Sequence, residues 1–166
     1  MAGKRSENVI MAALKQLRQL ALEDSRQKHP SLPEKYRSIR TYTDKTANGL
    51  TRCIIDWLRF NGHQAERIAV MGRPIDNTKV VVDTLGFSRR IGSIKWIPGS
   101  GQRGSSDISA TIRGRSIKIE VKIRDRQSEH QKSYQLQIEK AGGLYWLVRS
   151  FDEFYEFYNM LTTQNN

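Results

Sequence analysis

A glycine-rich stretch followed by two acidic residues contains the side chains of this sequence that could do chemistry. Residues 98–107, PGSGQRGSSD, carry three glycines and end at Asp107, and the segment EVK at 120–122 supplies Glu120 and Lys122. Paired carboxylates are ligands for divalent cations, whereas glycine-rich loops cradle phosphates. The flanking residues must therefore decide between a metal site and a cofactor loop.

The glycine spacing G-x-G-x-x-G is that of a dinucleotide-binding loop, but the residues after it do not fit that function. Such a loop opens a helix whose N-terminus receives the pyrophosphate. Here SSDISATI at 105–112 is rich in β-branched residues and predicts a strand. The P-loop sequence Gly-Lys-Ser/Thr is also missing at the required distance. We therefore expect no dinucleotide cofactor.

Residues 107–122, DISATIRGRSIKIEVK, predict a β-hairpin with its turn at 113–114. A two-residue turn places Asp107 directly opposite Glu120, with Cβ atoms about 5 Å apart. Lys122 lies on the same face because side chains alternate along a strand. A three-residue turn would break this register.

Two carboxylates that face each other across a hairpin repel unless a cation lies between them. Mg²⁺ commonly takes one or two carboxylates together with water and substrate phosphate. A lysine beside such an ion can orient the attacking water or neutralise charge on a phosphate. The alternative is a solvated hairpin face on which Lys118 and Lys122 simply screen Glu120.

The charge balance indicates a polyanionic partner. Lysine and arginine total 28 against 17 acidic residues, which gives a net charge of +11 and a pI near 10.0. Such a field attracts nucleic acid, and the cations are spread along the chain rather than collected in a tail. A cationic surface that serves solubility or an acidic protein partner is the alternative.

Other compositional features predict a cytoplasmic protein. No stretch is long and apolar enough for a membrane span, and the N-terminus has no apolar leader segment. Cys53 is the single cysteine, which fits a reducing compartment, and it falls on the apolar face of a predicted helix. We expect it to be a core residue and not a nucleophile.

Hydrophobic periodicity and capping residues predict four helices and several strands. The predicted helices are 6–28 capped by Ser6, 45–60 capped by Asp44, one to about 141 with a Ser128–Gln131 capping box, and a last one opened by Ser150 with Glu153. The predicted strands are 64–72, 91–98, 107–112, 115–122 and 144–149, while VVVDTLGF at 80–87 is ambiguous. The aromatic stripe of the last helix is expected to pack in the core.

The order glycine loop, Asp107, hairpin, Glu120-Val121-Lys122 and a helix with Gln131 resembles the PD-(D/E)XK nuclease superfamily. Within it, the chain is most similar to the small VRR-NUC and phage Holliday-junction-resolvase-like nucleases. The resemblance covers about residues 44–158. It departs at Ser106, which stands where the motif usually has proline.

This resemblance implies an α/β fold with a restriction-endonuclease-like core, in which a mixed central β-sheet is flanked by helices. Residues 44–166 would form the nuclease core, and residues 1–43 an N-terminal helical arm and basic connector outside it. The sequence leaves the oligomeric state open, and a homodimer is one state that it allows.

The resemblance also assigns roles to the site residues. Asp107 and Glu120, with the backbone carbonyl of Val121, would ligate Mg²⁺, for which Mn²⁺ can substitute. Lys122 would assist the water nucleophile. Gln131 would touch the site or the scissile phosphate, and a purely capping role for Gln131 is an equal alternative. Relatives often carry a further acid on the first core helix, and Asp44, Asn48, Asp56 and Glu66 offer no clear match.

The expected function is therefore that of a Mg²⁺-dependent deoxyribonuclease, acting as an endonuclease on duplex or branched DNA. A nonenzymatic nucleic-acid-binding module with the same fold is the alternative. A cluster of cations around the site is expected to contact phosphates rather than bases. Its members are Arg103, Arg113, Arg115, Arg124 and Arg126.

Overall fold

The computed structural model describes residues 3–68, 72–97, 99 and 101–163, with side chains from residue 13 onward. Its helices are α1 (Gly3–Lys28), α2 (Ala47–Phe60), α3 (Glu129–Lys140) and α4 (Phe151–Thr163), and a 3-10 turn covers Glu34–Tyr36. Its strands are β1 (Gln64–Arg67), β2 (Arg73–Asp76), β3 (Lys79–Val82), β4 (Ser88–Ile91), β5 (Ile94–Ile97), β6 (Ile108–Ile112), β7 (Arg115–Val121) and β8 (Leu144–Val148). None of the helices in these ranges combines the length and hydropathy of a membrane span.

The centre of the fold is a four-stranded sheet in the order β1-β6-β7-β8. β1 and β7 both run antiparallel to β6, whereas β8 runs parallel to β7. A parallel pair needs a crossover connection, and α3 provides it. The predicted α/β fold with a mixed sheet flanked by helices is confirmed.

Helices cover both faces of this sheet. Ile117, Ile119 and Val121 point from β7 into the main core, where α2 and α4 pack. The opposite face carries α3, whose Tyr134 meets Tyr145 of β8 edge-on at 6.4 Å between ring centroids. The even-numbered residues of β7, including Glu120, lie on the α3 face because side chains alternate along the strand.

The β6–β7 hairpin has the two-residue turn that the sequence predicts. Arg113 and Gly114 have φ angles of 48° and 78°, the left-handed backbone of a type I′ turn. Ile108 pairs with Ile119, so the same register extends to Asp107 and Glu120.

The helix ends agree with the sequence in the C-terminal half and differ in the N-terminal half. The capping box of Ser128 and Gln131 is present, and Ser150 Oγ accepts a hydrogen bond from Glu153 N at 3.2 Å. The Ser6 cap is wrong because α1 already begins at Gly3. The Asp44 cap of α2 is also wrong, since Thr46 caps α2 by accepting from Gly49 N at 3.1 Å.

Asp44 caps a different helix. Its Oδ2 accepts a hydrogen bond from Phe151 N, the first residue of α4, at 3.2 Å. The segment before α2 can reach this position because residue 49 is a glycine. A Cβ at Gly49 would lie 2.3 Å from the carbonyl oxygen of Thr43. The backbone at Thr43 therefore lies too close to α2 for any side chain at residue 49.

The N-terminal segment is packed onto the body and is not an arm outside the core. Ala13 and Leu17 are buried in the same hydrophobic cluster as α2 and α4. Gln16 accepts a hydrogen bond from Tyr155 Oη at 3.1 Å. The described side chains of α1 thus form an outer layer over α2 and α4.

Residues 72–97 form a separate two-stranded ribbon, which we call the ribbon. β2 pairs with β5 and β3 pairs with β4, both antiparallel and in one continuous register. The predicted strand at 64–72 is thus confirmed only as β1, and its residues 69–71 lie outside the described residues. The ambiguous segment at 80–87 ends β3 and makes the ribbon's turn.

Candidate active site

Asp107 lies immediately before β6, at the edge of the sheet where β7 ends. Its Oδ2 accepts a hydrogen bond from Val121 N at 3.0 Å, and its backbone oxygen accepts from Ile68 N at 2.8 Å. The carboxylate is therefore held against the end of β7, next to Glu120.

Glu120 is a buried carboxyl group, with only 1% of its surface exposed. Its Oε1 lies 3.2 Å from the Lys122 ammonium and also accepts a hydrogen bond from the side-chain amide of Gln131. Its Oε2 is buried and has no hydrogen-bond partner among the described residues. Lys122 and Gln131 thus both contact Oε1, and Oε2 is left without a hydrogen bond among the described residues.

The electrostatics of the pair favour a cation. Burial raises the pKa of Glu120 to about 7, and the negative charge of Asp107 contributes in the same direction, while Lys122 opposes them. An unpartnered buried carboxylate oxygen beside a second carboxylate is costly. Mg²⁺ prefers carboxylate oxygens, so these residues fit that ion.

Gln131 combines the two roles that the sequence left as alternatives. Its Oε1 accepts a hydrogen bond from Ser128 N at 2.9 Å, and its own backbone N–H donates to Ser128 Oγ at 3.3 Å. The Nε2 of the same side chain is free to donate to Glu120. The capping box therefore orients the amide toward the carboxyl group.

These side chains line an open cavity of about 520 Å³ together with residues from the start of α2 and from the segment after β7. The additional lining residues are Lys45, Thr46, Ala47, Ile123, Arg124 and Asp125, of which only Arg124 was expected near the site. Lys45, Thr46 and Ala47 bring the N-terminus of α2 to the cavity wall, where its backbone dipole adds positive potential. No local sequence signal indicates that this helix points at the end of the hairpin.

The glycine loop has a packing role. Gly104 has a φ of 84°, and a Cβ there would lie 2.5 Å from the backbone oxygen of His130. The loop thus lies tightly against the start of α3. Ser106, at the position where the motif usually has proline, is fully buried, and its hydroxyl donates to the backbone oxygen of Ile108 at 3.1 Å.

The expected cation cluster is brought together only in part. Arg124 lines the cavity, while Arg103 and Arg126 are exposed on the adjoining loops. Arg113 and Arg115 lie at the hairpin turn, about 17 Å along the strands from Asp107. Arg113 instead donates to the backbone oxygen of Thr162, at the end of α4, at 2.6 Å. The length of the hairpin thus separates these two arginines from the carboxylates, although they lie close to Asp107 and Glu120 in the sequence.

The four residues considered as a further ligand have other roles in the structure. Asp56 accepts hydrogen bonds from Arg40 and Tyr42, Asn48 accepts from Arg67, and Asp44 caps α4. Glu66 is exposed on β1. No group of three or more His, Cys, Asp or Glu able to hold a metal occurs in the described part of the chain. The candidate ligand set is thus limited to two carboxylates and backbone or water oxygens.

No protein-family model matches this chain, and a search of curated proteins found no match.

Proposed function

We propose that this protein is a metal-dependent DNA nuclease that hydrolyses phosphodiester bonds and has a restriction-endonuclease-like core. The observation that carries the proposal is the convergence of Asp107, Glu120, Lys122 and Gln131 in one open cavity at the end of a hairpin. The mixed sheet, with its antiparallel hairpin followed by a parallel crossover strand, supports the proposed fold.

In this proposal each residue has a role set by its contacts. Asp107 and the unpartnered Oε2 of Glu120, with the carbonyl of Val121, are the ligands for the ion. A bound Mg²⁺ would polarise the phosphate and lower the pKa of a bound water molecule. Lys122 would orient the attacking water or offset charge on the phosphate, and Gln131 would fix the rotamer of Glu120.

The rest of the cavity supports a phosphate-containing substrate. Lys45 and Arg124 contribute two positive charges to its lining against the one negative charge of Asp125, and the N-terminus of α2 adds oriented backbone N–H groups. The net charge of +11 favours encounter with a long polyanion over a small phosphorylated molecule. An endonuclease acting on duplex or branched DNA is the form of the proposal that we would test first.

The test is cleavage of matched single-stranded, duplex, nicked and four-way-junction DNA with Mg²⁺, with Mn²⁺ and with chelator. We expect metal-dependent cleavage of duplex or junction DNA, and loss of cleavage in Glu120→Ala. Cleavage that persists undiminished in Glu120→Ala would sink the site assignment. Failure of the wild type to cleave any of these substrates under any condition would contradict the proposed activity.

A nonenzymatic nucleic-acid-binding module with this fold is the second candidate. The acidic residues at the site favour it, since Asp125 lines the same cavity but the described residues contain no group of three or more His, Cys, Asp or Glu able to hold a metal. It predicts DNA binding without cleavage and no stabilisation by Mg²⁺. The nuclease predicts a Mg²⁺-dependent rise in the melting temperature that Asp107→Asn abolishes.

A further inference from the structure

The ribbon is the largest feature of the molecule that the proposed active site does not use. Its ten-residue legs would extend about 30 Å, and no helix or strand of the described body packs extensively against it. It also carries seven of the exposed large hydrophobic residues, namely Val80, Val82, Leu85, Phe87, Ile94, Trp96 and Ile97. A two-stranded hairpin of this kind is only marginally stable alone in water, which indicates a binding partner.

The two faces of the ribbon differ in charge. In the β2–β5 ladder, Arg73 faces Ile97 and Ile75 faces Lys95, so two cations and two aliphatic residues share one face. The β3–β4 ladder repeats this arrangement, with Lys79 facing Ile91 and Val81 facing Arg89. We call the surface formed by these eight residues the basic face. Its Ile75, Val81 and Ile91 are only half-exposed, whereas Val80 and Trp96 on the other face are more than 60% exposed.

Among the described residues, the ribbon's cations have no acidic partners. It contains five basic and two acidic residues, a net charge of +3. None of the five cations forms a salt bridge within the described residues. The acids Asp76 and Asp83 instead accept hydrogen bonds from backbone N–H groups of the ribbon's own turns.

The ribbon is inserted in the chain between the two strands that hold Asp107. It follows β1, whose next residue, Ile68, donates its backbone N–H to the backbone oxygen of Asp107. It precedes the glycine loop, which ends at Asp107 and leads into β6. The ribbon is thus connected on both sides to segments that meet at the candidate active site.

We propose that the ribbon binds the DNA duplex that flanks the scissile phosphate, with Arg73, Lys79, Arg89 and Lys95 contacting the backbone. The major groove of B-form DNA admits a two-stranded β-ribbon, and the aliphatic residues of the basic face suit thymine methyl groups. Like charges disfavour pairing with the ribbon of a second copy, whereas they favour a polyanion. This inference rests on the proposed nuclease function and names how its substrate is held.

The test compares two variants with the same loss of charge. The first, R73Q/K79Q/R89Q/K95Q, neutralises the basic face. The second, K15Q/R18Q/K35Q/K140Q, neutralises four exposed cations of the body, on α1, the 3-10 turn and the end of α3. Binding to B-form DNA and to an A-form RNA duplex of the same sequence is measured by fluorescence anisotropy in chelator, and melting curves confirm that both variants fold.

We expect the ribbon variant to bind duplex DNA at least about 10-fold more weakly than the control variant. The slope of its log affinity against log salt concentration should be shallower than that of the wild type by about 3 to 4. Wild-type RNA binding should be weaker than DNA binding. Equal losses in both variants would overturn the inference, as would a ribbon variant that binds normally. If the wild type cleaves DNA while the ribbon variant binds and cleaves normally, only this inference fails. If the wild type does not cleave but the ribbon variant loses binding, only the proposed function fails.

A second copy of this chain is the competing occupant. Sedimentation of the wild type and of I94S/W96S separates the two, because these residues lie on the face opposite the basic face, where Arg90 is the one basic residue. A wild-type dimer that becomes monomeric in I94S/W96S, together with normal DNA binding by the ribbon cation variant, would overturn the proposal. A monomeric wild type with cation-dependent binding would support it.

Discussion

The molecule contains two acidic pairs that resemble each other electrostatically and differ in their surroundings. Glu120 beside Asp107 has a pKa raised to about 7, and Asp152 near Asp44 has one raised to about 6, in each case mainly through burial. Each pair also leaves one buried carboxylate oxygen without a partner among the described residues. A raised pKa alone therefore does not identify a functional site.

The neighbours of the two pairs make the difference. Glu120 is contacted by Lys122 and Gln131 and lines a cavity that also contains the cations Lys45 and Arg124. At the other pair, Asp44 caps the first residue of α4, and the groups that act on Asp152 are Asp44 and Glu156, both acidic. In the function that we propose, the first pair binds a cation beside a phosphate, whereas the second pair lies at the start of a helix.

The largest expected difference between the pairs is in catalysis. Asp107→Asn should reduce DNA cleavage by about 10³-fold or more, equivalent to about 4 kcal/mol of transition-state stabilisation. The asparagine can still accept the hydrogen bond from Val121 N, so the fold should be retained. Asp152→Asn is the matched control and should cleave at nearly the wild-type rate. Equal losses in the two variants, measured under single-turnover conditions, would remove the distinction.

Lys122 distinguishes the two acidic pairs, because it places a cation beside Glu120 and the groups that act on Asp152 are acidic. Lys122→Met keeps the apolar stem and removes the charge, and we expect cleavage to fall about 10²-fold. Lys118→Met is the control, since Lys118 lies on the same face of β7 but donates to Ser109 Oγ at 2.6 Å. A rate in Lys122→Met as high as that in Lys118→Met would show that Lys122 only screens charge.

Substitution of Gln131 should have two smaller effects, one on stability and one on the cleavage rate. Ser128→Ala removes a helix cap and should lower the free energy of unfolding by about 1 kcal/mol while cleavage continues. Gln131→Ala should have a similar effect on stability and should also slow cleavage about 10-fold, because Glu120 loses its amide contact. Thermal unfolding and single-turnover rates of both variants test this. Identical cleavage rates would leave Gln131 with a capping role alone.

Asp152 should give the smallest effect, seen in stability against pH. Its folded-state pKa of about 6 exceeds the ordinary 3.8, so the folded protein binds this proton more tightly than the unfolded chain does. As the pH rises from 3.8 to about 6, the wild type therefore loses the stability that this group contributes, whereas Asp152→Asn does not. Above about pH 7 the variant should be more stable, because the wild type then holds a partly buried negative charge next to Asp44 and Glu156. The gain should be only on the order of 1 kcal/mol, since solvent screening and the N-terminus of α4 reduce the cost of that charge.

Melting temperatures between about pH 4 and pH 8 provide the measurement. The difference between variant and wild type should grow across the interval between the two pKa values and stay constant above it. A difference that does not change with pH would mean that Asp152 titrates normally in the folded protein.

The sequence predicted those parts of the site that depend on local chemistry. Arg113-Gly114 is a two-residue turn, and that turn alone sets the register that brings Asp107 to Glu120. The capping box of Ser128 and Gln131 is likewise a local motif and is present. These predictions succeeded because the energies that decide them come from residues close together in the chain.

The features that sequence reasoning missed depend on contacts between distant segments. Asp44 is a good capping residue, but it caps α4, more than a hundred residues away, and Thr46 caps α2. Lys45 reaches the cavity only because α2 packs across the sheet. The ribbon was not recognised because its strands are short and its apolar residues are exposed instead of alternating between core and solvent.

The central claim is that Asp107 and Glu120 hold a divalent cation, and titration with Mn²⁺ followed by electron paramagnetic resonance tests it most directly. Without DNA, we predict one Mn²⁺ site in the wild type and in Asp152→Asn, competed by Mg²⁺ and lost in Asp107→Asn. Unchanged Mn²⁺ binding in Asp107→Asn, or no binding by the wild type, would contradict the account.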